Sequence, residues 1–193
     1  DQAKEYISHA LKGSNRMKHL IEDLLDYSKV GSVNYELSIL DLNKVLEDVL
    51  ENLQVMIKEK SAKISIVNLP SIKANEYQVV TLFQNLISNA VKYCKETPEV
   101  KVGYIDDDEY CIFYVEDNGI GIDDYYKDYV FQIFNRLHSK KDFPGNGIGL
   151  SICKRIVNNL KGSIWLESNK GKGSKFFFKV PKENIKWQLL QKN

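Results

Sequence analysis

The chain has 193 residues, 43% of them hydrophobic and 27% charged, and its 27 basic and 26 acidic residues leave a net charge of +1. These values are ordinary for a folded protein of one or two domains, and they exclude disorder over the whole length. The balanced charge argues against a nucleic-acid partner, and no run of about 18 apolar residues is available for membrane contact by a spanning helix.

The first predicted element is one long helix over residues 2–30. Apolar and small residues recur there at alternating steps of four and three, which is a heptad seam (Ala3, Ile7, Ala10, Ser14, Met17, Ile21, Leu24 and Ser28). The seam predicts a partner helix, with packing on the chain's own domain as the alternative. The first residues do not form a signal peptide. Because the chain begins with Asp1 and lacks an initiator Met, we expect a fragment of a longer protein.

The rest of the chain predicts alternating strands and helices. Strands are expected at 35–42, 63–68, 100–105, 110–116, 163–167 and 175–180. Helices are expected at 44–60, 76–94, within 123–136, and at 149–160. The polar segment 137–147 predicts a mobile loop, and residues 183–193 an amphipathic tail. This order predicts an α+β fold, a two-layer α/β sandwich with a mixed sheet packed on helices, preceded by the long helix.

Helix 76–94 carries the first polar constellation. Asn85, Asn89 and Lys92 are spaced by four and three residues, so they share one helical face, and Tyr93 follows directly. Amide oxygens are hard, neutral ligands that suit Mg²⁺, and an ammonium group suits phosphate. The face therefore fits a Mg²⁺-polyphosphate, with a solvated polar face as the alternative.

The second constellation follows an apolar strand directly, at 116–122. Its two glycines, Gly119 and Gly121, would let backbone approach a ligand closely. The carboxylate of Asp117 could accept a hydrogen bond from an exocyclic amine such as that of adenine. An ordinary Asp-Asn-Gly turn is the alternative.

The third constellation opens a helix at 145–150. Gly145, Gly147 and Gly149 at steps of two predict a nest of backbone N–H groups that cradles phosphate. The spacing matches neither a dinucleotide fingerprint nor a P-loop, and a flexible loop before a helix is the alternative.

Phe131, Phe134 and Arg136 form a fourth group. The two aromatic side chains would anchor the base of loop 137–147, and Arg136 could reach a terminal phosphate. A core pair with a surface arginine explains the same residues.

In this order, the pieces resemble the catalytic and ATP-binding domain of two-component sensor histidine kinases, which has the Bergerat (GHKL) fold. The resemblance covers about residues 35–181 and rests on five motifs: the N box 85–93, G1 box 117–121, F box 130–136, G2 box 145–150 and a last glycine motif 171–174. Residues 20–28 resemble the end of the second helix of the dimerisation and phosphotransfer hairpin. The stretch 134–138 resembles the phytochrome-type subgroup.

The resemblance implies a role for each matching residue. Asn89 would bind Mg²⁺ with Asn85 beside it, Lys92 and Arg136 would meet phosphates, and Asp117 would hold the adenine amino group. The remaining nucleotide contacts would come from Tyr93, Gly119, Gly121, Ile122, Phe134, Gly145, Gly147, Ile148, Gly149, Leu150 and Ser174. Segment 137–147 would close over ATP as a lid.

The resemblance also implies three parts: 1–32 from the hairpin, 33–182 as the ATP-binding domain, and 183–193 as a tail. The expected function is Mg-ATP-dependent phosphorylation of a histidine, from which the phosphoryl group is relayed to the receiver domain of a response regulator. The expected location is cytoplasmic, and a homodimer is expected for the full-length parent. His9 lacks the acidic residue or Asn and the nearby proline that follow the family's acceptor, so we expect the acceptor to lie outside this chain. A nucleotide-binding scaffold without turnover is the alternative, followed by another Bergerat ATPase.

Overall fold

The computed structural model describes residues 2–30, 36–135, 137, 143 and 146–186. Its helices are α1 Gln2–Val30, α2 Leu42–Asn52, α3 Gln54–Glu59, α4 Glu76–Lys92 and α5 Gly149–Asn159. Its strands are β1 Ser38–Asp41, β2 Lys63–Ile66, β3 Ser71–Ala74, β4 Glu99–Asp106, β5 Tyr110–Asp117, β6 Ser163–Ser168, β7 Ser174–Pro181 and β8 Ile185–Lys186. Short 3-10 helices lie at Asp124–Tyr126, Tyr129–Phe131 and Lys182–Asn184.

The larger sheet has five strands in the order β2-β4-β5-β7-β6. β2 and β4 pair in parallel and the other neighbours are antiparallel, so the predicted mixed sheet is confirmed. Alternate side chains of β5 and β7 are buried against α4, where the Phe178 ring lies 5.6 Å from Phe83 and 5.1 Å from Phe113. The sheet and the helices α2, α4 and α5 form the two layers of the predicted α+β sandwich.

A second sheet of three strands, in the order β1-β3-β8, was not predicted. Both of its pairings are antiparallel. The pairing of β3 with β8 brings Ile185 to the core, where its side chain is 6% exposed, although Ile185 falls in the segment expected to be a tail. Residues 187–193 of that segment lie outside the described residues.

The helices begin at side-chain caps. The Asp41 side chain accepts from Asn43 N at 3.0 Å at the start of α2, and the Asn75 side chain accepts from Gln78 N at 3.1 Å at the start of α4. The single helix predicted at 44–60 is wrong, because the chain leaves helical geometry at Leu53 and resumes as α3. The helix predicted within 123–136 is two short 3-10 helices.

Helix α1 leaves most of the described part of its apolar seam exposed. Ile7 and Ile21 are 59% and 58% exposed, whereas Val30, at the end of the helix, is fully buried in the core of the sandwich. No helix among the described residues is long and apolar enough to span a membrane. All three cysteines are buried and unpaired, as predicted.

Candidate functional site

A cavity of about 520 Å³ opens between α4, α5 and the ends of β5 and β7. This volume is in the range of small-molecule sites. Its wall combines amide, ammonium and carboxylate groups with apolar side chains such as Ile120, Ile122, Ile148 and Phe176. A ligand in this cavity would therefore contact polar groups on one side and an apolar surface on the other.

Helix α4 supplies the polar side of the cavity. Asn85, Asn89 and Lys92 all lie in its wall, as their shared helical face requires. Asn85 Nδ2 donates to Thr81 O at 2.8 Å, which fixes the orientation of that amide. The Asn89 side chain has no hydrogen-bond partner within the described part of the chain, so its amide is available to a ligand. Lys92 Nζ lies 4.4 Å from the centre of the Tyr93 ring.

Asp117 ends β5 with its carboxylate in the cavity wall. Its Oδ1 accepts from Gly119 N at 2.8 Å and from Ser174 N at 3.1 Å, so the carboxylate is fixed from two loops. Burial raises the pKa of Asp117 to about 6, although these two hydrogen bonds act in the opposite direction. Oδ2 has no hydrogen-bond partner among the described residues. Every fully buried side-chain N or O among those residues does have a partner, so Oδ2 is not fully buried and is accessible to a ligand.

Backbone hydrogen bonds tie three loops together around Asp117. Ile120 N donates to Tyr93 O at 3.0 Å, and Gly171 N donates to Ile120 O at 2.7 Å. Gly173 has a φ of +85°, and a Cβ there would lie 2.0 Å from Asp117 O, so only glycine fits this turn. The glycines of the last motif thus hold the backbone around the Asp117 carboxylate.

The first turn of α5 forms the opposite wall. Gly147, Ile148, Gly149 and Leu150 all line the cavity. The first N–H groups of a helix have no intrahelical partner and carry partial positive charge, which suits an anion. A Cβ on Gly149 would lie 2.3 Å from Asn85 Oδ1, so glycine allows α4 and α5 to approach at this point.

Most of the site residues predicted from the sequence are brought together in this wall. They are Asn85, Asn89, Lys92, Tyr93, Asp117, Gly121, Ile122, Gly147, Ile148, Gly149, Leu150 and Ser174. Gly119 is outside the wall and acts through its N–H on Asp117. Phe134 is also outside it and is 56% exposed, with a φ of +65°. Arg136 and Gly145 fall outside the described residues.

Several wall residues were missed by the sequence analysis. On α4 these are Thr81, Gln84 and Ser88. Thr81 and Ser88 lie four and three residues from Asn85, and Gln84 lies three and four residues from those two, so helical spacing could have identified them. Phe176 lies two residues after Ser174 on the same face of β7, so strand alternation could have identified it. Asn146 lies within the glycine motif 145–150, whereas Met56, on α3, has no comparable signal.

Comparison with known proteins identifies the class. The family of histidine kinase-, DNA gyrase B- and HSP90-like ATPases matches residues 74–184, and the chain belongs to this family. As a member of a family of ATPases, it is a nucleotide-binding protein.

The curated relatives include a phytochrome-like protein and a phytochrome. The chain is 39% identical over 94% of its length to the phytochrome-like protein Cph1 of a Synechocystis species, and 41% identical over 93% of its length to cyanobacterial phytochrome A of a Nostoc species. In both cases the match spans only 24% of the relative. The chain therefore corresponds to about a quarter of these proteins.

Solved structures share the fold. Full-length ShkA, in complex with AMPPNP, has a TM-score of 0.76 at 23% identity, with 97% of this chain and 40% of that chain covered. The histidine kinase ThkA, in complex with the response regulator protein TrrA, has a TM-score of 0.70 at 22% identity, with 94% of this chain and 52% of that chain covered.

Proposed function

We propose that this chain is the ATP-binding kinase core of a sensor histidine kinase, which transfers the γ-phosphoryl group of Mg-ATP to a histidine for relay to a response regulator. The proposal rests on one observation: Asn89 and Lys92 of α4, the Asp117 carboxylate and the first turn of α5 all line the same cavity. Membership of the ATPase family and the likeness to phytochromes and histidine kinases support it.

The carboxylate and the helix start would hold opposite ends of the nucleotide. Oδ2 of Asp117 accepts a hydrogen bond from the adenine amino group, while the base lies on the apolar wall that includes Ile120 and Ile122. The phosphates lie toward the first turn of α5 and Lys92, where unpaired N–H groups and an ammonium group offset their charge. A carboxylate at the phosphate end would repel the nucleotide, so the placement of Asp117 decides the direction of binding.

The donor set fits Mg²⁺ bound together with phosphate. Asn89 offers an amide oxygen at the cavity wall, with Asn85 one helical turn away. Mg²⁺ takes few protein ligands and keeps water and phosphate oxygens, so two amides are sufficient. No group of three or more His, Cys, Asp or Glu side chains that could hold a metal occurs in the described part of the chain, so the ion would depend on the nucleotide. The ion would neutralise charge on the phosphates.

Catalysis in this arrangement is positioning and charge neutralisation. A histidine ring nitrogen attacks the γ-phosphorus, the bond from that phosphorus to the β–γ bridging oxygen breaks, and ADP leaves. Lys92 and the N–H groups of α5 stabilise negative charge on the leaving phosphates, and Arg136 would act at the terminal phosphate. Closure of segment 137–147 would exclude water from the transfer.

The acceptor, the partner chain and the response regulator are part of the proposal. We place the acceptor outside residues 1–193, because the surroundings of His9 differ from the family's pattern. The exposed apolar seam of α1 would pair with a second copy in a cytoplasmic homodimer, for which Ile7 and Ile21 provide the surface. The complex of ThkA with TrrA supports a response regulator as the final acceptor.

The test combines the chain with labelled Mg-ATP and a second protein that carries the parent's acceptor helix. Transfer of label to a histidine, lost in Asn89→Ala, is expected. Ser65→Ala on β2, away from the cavity, is the control and keeps transfer. Stabilisation by nucleotide without transfer to any acceptor would favour the scaffold alternative and overturn the kinase. Label on His9 in the chain alone would overturn the placement of the acceptor.

A further inference from the structure

The end of α1 is held by side chains of α4 and α5. Arg155 Nη1 donates to Tyr27 O at 3.1 Å, and its guanidinium lies 4.5 Å from the centre of the Tyr27 ring. Asn159 Nδ2 donates to Val30 O at 2.8 Å. Gln78 Nε2, from α4, reaches the same Val30 oxygen at 3.4 Å.

These contacts satisfy groups that a helix cannot satisfy itself. The last four carbonyl groups of a helix have no intrahelical donor, and they are usually met by the following residues or by water. Here the donors come from residues more than forty positions along the chain, on two other helices. Val30 is fully buried between them, and Tyr27 packs against the same core. The final turn of α1 is thus packed as part of the ATP-binding domain.

The two helices that hold α1 also line the cavity. Gln78 lies seven residues before Asn85 on α4, and Asn159 lies ten residues after Gly149 on α5. At 1.5 Å per residue these separations are about 10 and 15 Å along the helix axes. Each helix connects its cavity residues rigidly to the contact with α1, because a packed helix does not bend freely over about two or three turns.

We infer that Gln78, Arg155 and Asn159 form a clasp on the last turn of α1, which fixes the position of the nucleotide cavity relative to that helix and so positions the γ-phosphoryl group for its acceptor. The inference rests on the proposed function. These are positioning residues, since none of the three lines the cavity. Phosphoryl transfer depends on reacting atoms about 3–3.5 Å apart, and a displacement of 1 Å can cost about a hundredfold in rate.

The first experiment measures the position of the cavity relative to α1. Spin labels on Lys18→Cys and Lys101→Cys, both at exposed positions, report the distance between α1 and the sheet, and the native cysteines are buried. The clasp variant is Arg155→Met with Asn159→Leu. The control is Lys154→Met with Asn158→Leu, which makes similar changes at exposed neighbouring positions of α5.

We expect one narrow distance distribution in the parent chain and in the control, and a broad one in the clasp variant. An equally narrow distribution in the clasp variant would overturn the clasp. Stabilisation by Mg-ATP is measured on the same samples and should be equal in all three, which shows that the variants fold and that the cavity is intact.

The second experiment measures the rate of transfer to the parent's acceptor helix at saturating ATP. The clasp variant should transfer at least about tenfold more slowly than the control, with the affinity for ATP unchanged. Equal rates would overturn the positioning role and leave the kinase proposal standing. If the parent chain itself transfers nothing, the kinase proposal fails together with the positioning role, while the distance measurement still decides whether the clasp holds α1.

Discussion

Asn85 and Gly149 meet where α4 and α5 enclose the cavity, and a methyl group on Gly149 would lie 2.3 Å from Asn85 Oδ1. Asn85 cannot turn away without losing its hydrogen bond to Thr81 O at 2.8 Å. The closeness of the two helices at this point therefore depends on a residue without a side chain, and it brings the amide groups of α4 opposite the N–H groups of α5.

Gly149→Ala is expected to weaken nucleotide binding strongly. The added methyl group must displace either the Asn85 amide or the first turn of α5, and both belong to the cavity wall. The measurement is the shift in melting temperature on addition of Mg-ATP, which should be lost or much reduced. Gly13→Ala is the control, because a Cβ there meets nothing within 4 Å; it should keep the shift and gain about 1 kcal/mol of stability from helix propensity. A full shift in Gly149→Ala would contradict this account.

Asp117→Asn is expected to abolish nucleotide binding and to stabilise the free protein at pH 7.5. The asparagine oxygen can still accept from Gly119 N and Ser174 N, but its amino group would face the adenine amine. Because burial raises the pKa of Asp117 from 3.8 to about 6, ionisation costs the free protein at most about 3 kcal/mol.

The sign of this effect follows from proton binding. Between about pH 4 and 6 the folded protein holds a proton on Asp117 that the unfolded chain has released, so this group lowers the stability as the pH rises through that window. Asp117→Asn should therefore gain stability over the parent at pH 7.5 and gain little at pH 4, as measured by urea unfolding. Asp128→Asn, at an exposed position, should show neither change. An Asp117→Asn protein less stable than the parent at pH 7.5 would refute the prediction.

Nucleotide affinity is expected to fall on acidification through pH 6. The adenine amine needs the ionised carboxylate, and the free protein protonates it at a pKa of about 6, so binding at pH 5 should be about tenfold weaker than at pH 7. The nucleotide phosphates titrate in the same pH range, so their contribution is subtracted from the affinities that calorimetry measures. Asp128→Asn should have the same profile as the parent, which shows that loss of an exposed carboxylate does not change it. If the parent's affinity does not change with pH once the titration of the nucleotide phosphates is subtracted, Asp117 does not hold the base.

The residues that line the cavity could be grouped from the sequence more completely than the outer parts of the fold. Asn85, Asn89 and Lys92 were found because helical spacing is a local property, and the glycine motifs because close backbone approach requires that residue. β3 was missed because its alternation of polar and apolar residues covers only four positions after Pro70, too few to stand out, and because its partners lie far away along the chain in β1 and β8. The break at Leu53 was missed because the apolar positions continue through it and no proline or glycine marks it.

The end of α5 offers a prediction of stability that is independent of nucleotide. Lys161 has a φ of +57°, and its N–H donates to Asn158 O at 2.9 Å while Gly162 N donates to Val157 O at 2.9 Å. This is the Schellman arrangement, in which glycine is preferred at the left-handed position. Lys161→Gly should raise the free energy of unfolding by about 1 kcal/mol, because a side chain in the left-handed region costs about that much.

The ion pair of Lys161 with Glu183, at 3.7 Å between exposed groups, contributes little, so its loss should not offset the gain. Glu183→Gln measures that contribution separately and should change the stability by less than about 0.5 kcal/mol. Urea unfolding provides both values, and the shift in melting temperature with Mg-ATP should be unchanged in both variants because neither residue lines the cavity. A Lys161→Gly protein that is no more stable than the parent would show that the left-handed turn carries no strain at this position.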